Sequence, residues 1–219
     1  NFHSVSDLKK IKSISQKGYK FIYAASLGKF FRNNINDFKK SKFLIPNNKR
    51  VNLIKKQLTK YGNKKIVGLS WYSQSKSLDQ KSIELKYFKP LLQNKNFIFI
   101  NLQYGNVQKE INTLNKIVSN KIISLSNIDL FHDFESLIAL IANLDLVITI
   151  DNINAQISGS IGKTTWVITP YTNEYILYSR SNNGKSDWYP SNTIFYNDGK
   201  KKNIINTITK LTKKLKKII

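Results

Sequence analysis

The sequence predicts an α/β fold: a Rossmann-like parallel sheet with helices on both faces, preceded by a partial α/β piece. Three observations lead there. Short runs rich in Ile, Val, Leu and Phe recur at 64–71, 97–102, 145–150 and 165–168. They are apolar throughout rather than alternating, the pattern of strands covered on both faces. Amphipathic stretches of helical length separate them, and such alternation specifies βαβ units. The stretch 144–170, LDLVITIDNINAQISGSIGKTTWVITP, holds one complete unit.

Taken in order, 1–17 reads as a helix around Val5, Leu8, Ile11 and Ile14, ended by Gly18. A short strand at 19–25 follows, then an irregular helical piece at 26–38 and a lysine-rich connector to Pro46. These residues hold too few strands for a domain and read as the end of one that begins upstream. A helix is expected at 51–61 and the first buried strand at 64–71. A polar loop leads to Ser82, which is expected to cap a helix over 83–93. Strand 97–102 ends in the turn Gln103, Tyr104, Gly105. Helix 107–118, strand 121–125 and a loop at 129–133 follow, and Asp133 caps helix 134–143. After strand 145–150, Asp151 and Asn152 supply turn and cap chemistry for a short helix at 154–161. Gly162 ends it, 165–168 is the next strand, and Pro170 closes that strand. The remainder is a long loop at 171–191 with a helical turn at 173–178, a strand at 193–196, and a lysine-rich amphipathic helix at 203–218. The expected domains are 1–48, 49–200 and a closing helix at 201–219.

Of the 219 residues, 41% are hydrophobic and 12% aromatic, enough for a real core. There is no cysteine, which excludes a disulfide framework and a cysteine nucleophile. That fits a reducing compartment, and a cytoplasmic location is the expectation. No apolar run reaches the ~18 residues of a membrane span. The net charge of +23 suggests an anionic partner, but arginine stands only at 32, 50 and 180. Base readout favours arginine forks. Lysine scattered on every helix, together with abundant Asn and Ile, reads instead as AT-rich coding, and nucleic acid is not the expected partner.

Five places could carry chemistry. The turn at Asp151–Gln156 offers a helix N-terminus at the carboxyl end of a parallel strand, a ready anion site. Backbone N–H groups of Asn152, Ile153, Asn154 and Ala155 would be the donors; ordinary capping is the alternative. Lys81, in the loop after the first strand, would meet a phosphate as a point charge or stand as a solvated lysine. Tyr104 and Gly105 occupy the same sheet edge, where Tyr104 could stack on a base or simply end a turn. Asp129, His132, Asp133 and Glu135 read as an acid/base or metal fragment, or as a charged helix start. Trp188 and Tyr189 form either a sugar or base platform or an aromatic anchor for their loop. No motif for a protein-held metal occurs, and neither metal nor cofactor is expected.

The ordered motifs IVGLSW, KSIEL, NLQYG, DLFHDFESLIALIANLDLVITIDNINAQISGSIGKTTWVITP and SDWYPSNTIFY together resemble the C-terminal part of bacterial GT-B glycosyltransferase-like proteins. That family is often fused behind tetratricopeptide repeats and is related to heptosyltransferases and O-GlcNAc transferases. The resemblance spans about 26–196. It implies a GT-B C-terminal domain that holds a nucleoside diphosphate sugar and passes the sugar to an acceptor the sequence does not identify. It also implies a final helix packing back toward the N-terminal domain, with the catalytic base in missing upstream sequence. Lys81, Asp151, Asn152, Ile153, Asn154 and Gln156 match the diphosphate-binding positions. Tyr104 and Gly105 match the nucleotide pocket, and Trp188 and Tyr189 match an aromatic loop. SLGKFF stands where the family tends to have a Ser-Leu-Pro-Arg-like segment. Asn152 replaces a Ser or Thr, Gln156 a histidine, and Thr164 a proline. A glutamine donates a hydrogen bond but carries no charge. The alternative implied by these departures is a degenerate module that binds a nucleotide, sugar or protein without turnover.

Overall fold

The computed structural model describes residues 22, 26–38, 42–73, 82–169, 181–182, 184–197 and 200–218. The helix expected at 1–17, the strand at 19–25, the loop at 74–80 with Lys81, Pro170 and the turn at 173–178 lie outside the described residues. The chain divides into two compact units, Asn1–Lys39 and Lys40–Ile219. In the first, a single-turn helix α1 (Gly28–Phe31) precedes a 3-10 turn at Ile35–Asp37. Asn34 and Asp37 close that turn as a reciprocal capping box.

The second unit is a sheet of eight strands: β1 (Lys65–Ser70), β2 (Phe97–Asn101), β3 (Ile122–Ile123), β4 (Leu146–Ile150), β5 (Thr165–Thr169), β6 (Ser181–Asn182), β7 (Lys185–Ser186) and β8 (Asn192–Tyr196). Their spatial order is β3-β2-β1-β4-β5-β8-β7-β6. The first six in that order are parallel, and the β6–β7 hairpin adds antiparallel to β8. The hairpin lies within the stretch expected to be loop. Gly184, at φ +74°, makes its tight turn, a backbone region open to glycine.

The helices are α2 (Asn48–Leu58), α3 (Gln108–Asn115), α4 (Phe134–Ala142), α5 (Ile153–Ser160) and α6 (Lys201–Leu215). Side chains alternate across each strand. Val67, Leu69, Phe97, Phe99, Ile148 and Trp166 face a core shared with α3 and α6. Ile66, Ile98, Ile100 and Val147 face a second core with α2, α4 and α5. Both faces are therefore covered, and uninterrupted apolar runs are the result. Each buried Leu, Ile or Phe contributes about 1.5–3 kcal/mol. The final helix α6 buries Ile204, Ile208, Leu211 and Leu215 on the sheet of its own unit.

One element differs in kind from expectation. Residues 83–93 form two 3-10 turns, Leu85–Phe88 and Leu91–Gln93, not an α-helix capped by Ser82. Pro90 stands between them and brings no N–H to a continuing helix. Tertiary partners take the entering N–H groups: Ile83 N donates to Trp71 O at 2.9 Å, and Leu85 N to Glu110 Oε1 at 3.1 Å.

Candidate functional site

The strand order defines where a ligand fits. From β1 the chain moves outward to β2 and β3, then crosses back to place β4 on the other side of β1. The connections thus diverge between β1 and β4, and open α/β sheets bind ligands in the crevice beyond the carboxyl ends at that point.

The crevice is built by hydrogen bonds among strand ends. Asn152 caps α5, its Oδ1 accepting from Asn154 N at 2.9 Å. Its Nδ2 donates to Ser70 Oγ, at the end of β1, at 2.9 Å. Ser70 Oγ donates in turn to Gln103 Oε1, just beyond β2, at 3.0 Å. The same Gln103 oxygen accepts from Trp71 N at 3.0 Å and Tyr72 N at 2.8 Å. Gln103 is itself held by Asn101, whose Oδ1 accepts from Gln103 N at 2.8 Å. Thr149, on β4, donates to Asn152 Oδ1 at 3.0 Å. Three adjacent strands are thus locked at one edge by uncharged side chains. Asp151 is buried and turned to the opposite side of β4, with Oδ2 at 3.5 Å from Thr169 Oγ1.

The N-terminus of α5 is largely satisfied from within. Ala155 N and Gln156 N both donate to Asn152 O, at 3.0 and 3.4 Å, and Asn152 N donates to Ile150 O. Of the four backbone donors expected for an anion, only the Ile153 N–H has no partner among the described residues. Asn154 is fully buried; its Nδ2 donates to Leu102 O at 3.1 Å, and its Oδ1 has no partner among the described residues. Gln156 is half-buried, and its side chain makes no hydrogen bond among the described residues. Lys81 lies outside the described residues.

Beside this edge, beyond β2 and β3, is a pocket of about 260 Å³. Gln103, Tyr104, Gly105, Leu125, Ile128 and Phe131 are among its walls. The Tyr104 and Phe131 rings lie 5.4 Å apart, tilted by 44°, and His132 meets the Phe131 edge at 4.7 Å. Gly105 turns the chain at φ +90°. Asp129 Oδ1 accepts from Phe131 N at 2.8 Å and His132 N at 3.0 Å, and Oδ2 pairs with His132 Nδ1 at 3.0 Å. The hydrogen bond from His132 N, then that from Phe131 N, then the imidazole hold Asp129 at a pKa of about 2. Asp129 therefore shapes the loop as a carboxylate at neutral pH.

The rest of the acidic cluster takes the helix-start reading. Asp133 caps α4, accepting from Ser136 N at 3.0 Å, and Arg50 of α2 reaches Asp133 at 3.0 Å and Glu135 at 2.8 Å. No group of three His, Asp or Glu among the described residues is placed to hold a metal ion. At 188–189 the anchoring alternative fits Tyr189. It is 6% exposed, its ring packs over Gly159 of α5, and it lies 5.9 Å from the Phe43 ring. Tyr189 thus presents no open platform, while Trp188 is half-buried.

Ser70, Asn101 and Glu110 were not foreseen. Glu110 joins two segments, accepting from Trp71 Nε1 at 3.0 Å and from Leu85 N. A signal existed for the first two: each is a polar residue closing an otherwise apolar strand at the carboxyl edge.

No family model matches the chain. It is 30% identical over 182 residues to Protein FlbA of Caulobacter vibrioides, covering 80% of this chain and 30% of that protein. Among solved structures it is similar to a glycosyl transferase of family 9 from Veillonella parvula, with a TM-score of 0.55, 11% identity, and 84% and 48% of the two chains covered. It is similar to ADP-heptose lipopolysaccharide heptosyltransferase II of E. coli, at 0.60, 9% identity, and 85% and 56% coverage. The E. coli heptosyltransferase WaaC, solved with ADP, matches at 0.52, 8% identity, and 74% and 48% coverage. The chain thus has the α/β fold of these glycosyltransferases and spans about half the length of each, and under a third of FlbA.

Proposed function

We propose that this unit is the donor half of a glycosyltransferase and holds a nucleoside diphosphate sugar at the carboxyl edge. The observation that carries the reading is the hydrogen-bonded chain Gln103–Ser70–Asn152. It joins the wall of the Tyr104 pocket to the cap of α5 at the point where the strand connections diverge. Pocket and cap lie on either side of β1, two to three strand spacings apart, about 10–14 Å. That span suits a nucleoside in the pocket with its diphosphate at α5. The base would stack near Tyr104 and Phe131. A phosphate oxygen would take the Ile153 N–H and the positive end of the helix, with the Gln156 amide and Lys81 as further donors. Such donors would offset charge developing on the diphosphate as the sugar leaves. The fold shared with WaaC, which was solved with ADP, supports ADP as the first nucleotide to test. The catalytic base would come from outside this unit.

Gln156 favours a second reading, binding without turnover. It stands where the resemblance implies a histidine, and its amide supplies no positive charge.

Calorimetric titration of the chain with ADP, UDP and GDP tests the proposal. One of them should bind, and Tyr104→Ala should weaken it about fivefold or more, from the ~1–3 kcal/mol of base stacking. Failure of all three to bind would remove it. In the full-length protein, binding without donor hydrolysis or transfer, with turnover gained by Gln156→His, would select the second reading.

A further inference from the structure

The helix α6 leaves a face that the donor reading does not use. It carries no Asp or Glu, and Lys201, Lys202, Lys210, Lys213, Lys216 and Lys217 are exposed in or just beyond it. At 100° per residue Lys202, Lys210, Lys213 and Lys217 occupy the side opposite Ile204, Ile208, Leu211 and Leu215, with Lys216 on its flank. Among the described residues none has a carboxylate within ion-pair distance. Ile205 lies on the boundary between that side and the buried stripe and is 46% exposed. Next to it runs an apolar groove of about 410 Å³ between α6 and the 3-10 turns, lined by Tyr87, Pro90, Ile205 and Ile208 with Lys86 and Lys89. Glu84 is the one acid described there, and it is paired to Lys86 at 2.6 Å.

We propose that this face docks the domain on an anionic lipid bilayer. The charge pattern selects an anionic partner, and two features select a bilayer over nucleic acid. The face has lysine and no arginine among its described residues; a lipid headgroup layer attracts both equally, whereas base readout favours arginine. Between the α6 lysines and Lys86 and Lys89 the surface is an apolar groove, which acyl chains match and a phosphate backbone does not. The lysines would take the headgroups while Ile205 and the groove meet the acyl boundary. Nothing in this depends on a nucleotide being bound.

Vesicle flotation of the full chain tests it, with phosphatidylcholine alone and with about one third phosphatidylglycerol, at ~0.1 and ~0.5 M salt. The chain should float with the anionic vesicles only and be released by the higher salt. Lys202→Glu/Lys213→Glu/Lys217→Glu should weaken binding about a hundredfold or more, since each lysine near the surface is worth about fivefold. Lys49→Glu/Lys55→Glu/Lys56→Glu, an equal charge change on α2 across the sheet, should weaken it less than about tenfold. All six positions are exposed, so circular dichroism should be unchanged in both variants. Absence of flotation in the native chain would overturn the proposal. So would equal losses in the two triple variants, because net charge alone would then explain binding. A single-stranded oligonucleotide that displaces the chain from vesicles at equal charge concentration would overturn it in favour of nucleic acid.

Discussion

Asn152 Nδ2 donates to Ser70 Oγ at 2.9 Å, across the boundary at which the strand connections diverge. One amide thus performs two tasks, since its Oδ1 also caps α5. A serine or threonine in its place would cap the helix but could not span to β1 in the same way. Asn152→Ala should cost about 1–2 kcal/mol from the lost cap, with a further loss from Ser70. Asn152→Ser should recover most of the cap term. Denaturant midpoints of the three proteins check the order.

Gln103 should prove more sensitive than any exposed residue of the pocket. Its Oε1 is the acceptor for Ser70 Oγ, Trp71 N and Tyr72 N. Gln103→Leu keeps the volume and leaves those donors unmatched, at about 2–3 kcal/mol. Gln103→Glu keeps an acceptor there and should be milder by chemical unfolding.

Gly159 has no room for a side chain. A Cβ would stand 2.4 Å from Tyr189 Cγ and 2.6 Å from its Cβ, close to the tyrosine backbone. Gly159→Ala should therefore cost about 1–3 kcal/mol by overpacking, despite alanine's better helix propensity. Near-UV circular dichroism should change as the Tyr189 ring moves.

The loop at 129–136 sets an acid limit. Asp129 is held at about 2, chiefly by the N–H of His132 and next by that of Phe131. Asp133 is also lowered, first by the Ser136 hydroxyl, then by its N–H. A carboxyl with a depressed folded-state pKa contributes stability above its unfolded value of about 3.9 and loses it as pH falls through the folded value. The amide resonances of Phe131 and His132 should show an acid transition through about 2, as the Asp129 carboxylate that accepts from them takes up its proton. In Asp129→Ala they should be displaced already at pH 7. A midpoint near 4 in the native chain would contradict the structure.

The sheet was legible because its strands are apolar on both faces, a pattern that few other folds produce. Strands β1, β2, β4 and β5 follow their expected runs within one or two residues, and of the two residues expected to cap α5, Asp151 and Asn152, it is Asn152 that does so. What sequence patterning could not supply was tertiary. The 83–93 segment has an apolar rhythm that suits a helix, yet Pro90 and the partners Trp71 O and Glu110 resolve it into 3-10 turns. In sequence Tyr189 reads either as a ligand platform or as an anchor for its loop, and only the small side of α5 at Gly159 shows where its ring is buried. The roles of Ser70 and Gln103 depend on strand order, which is set by the crossover and not by either residue. The site was therefore legible as an edge and a turn, but not as a hydrogen-bonded unit.

The central claim is that a nucleoside diphosphate lies across β1 between the Tyr104 pocket and the start of α5. Backbone amide shifts recorded while ADP is titrated into the chain test it most directly. The account predicts changes clustered at 103–107, 124–131 and 151–156, with the Ile153 amide moving downfield as it meets a phosphate. Changes centred on α2 or α6, or none at millimolar ADP, UDP and GDP alike, would contradict it.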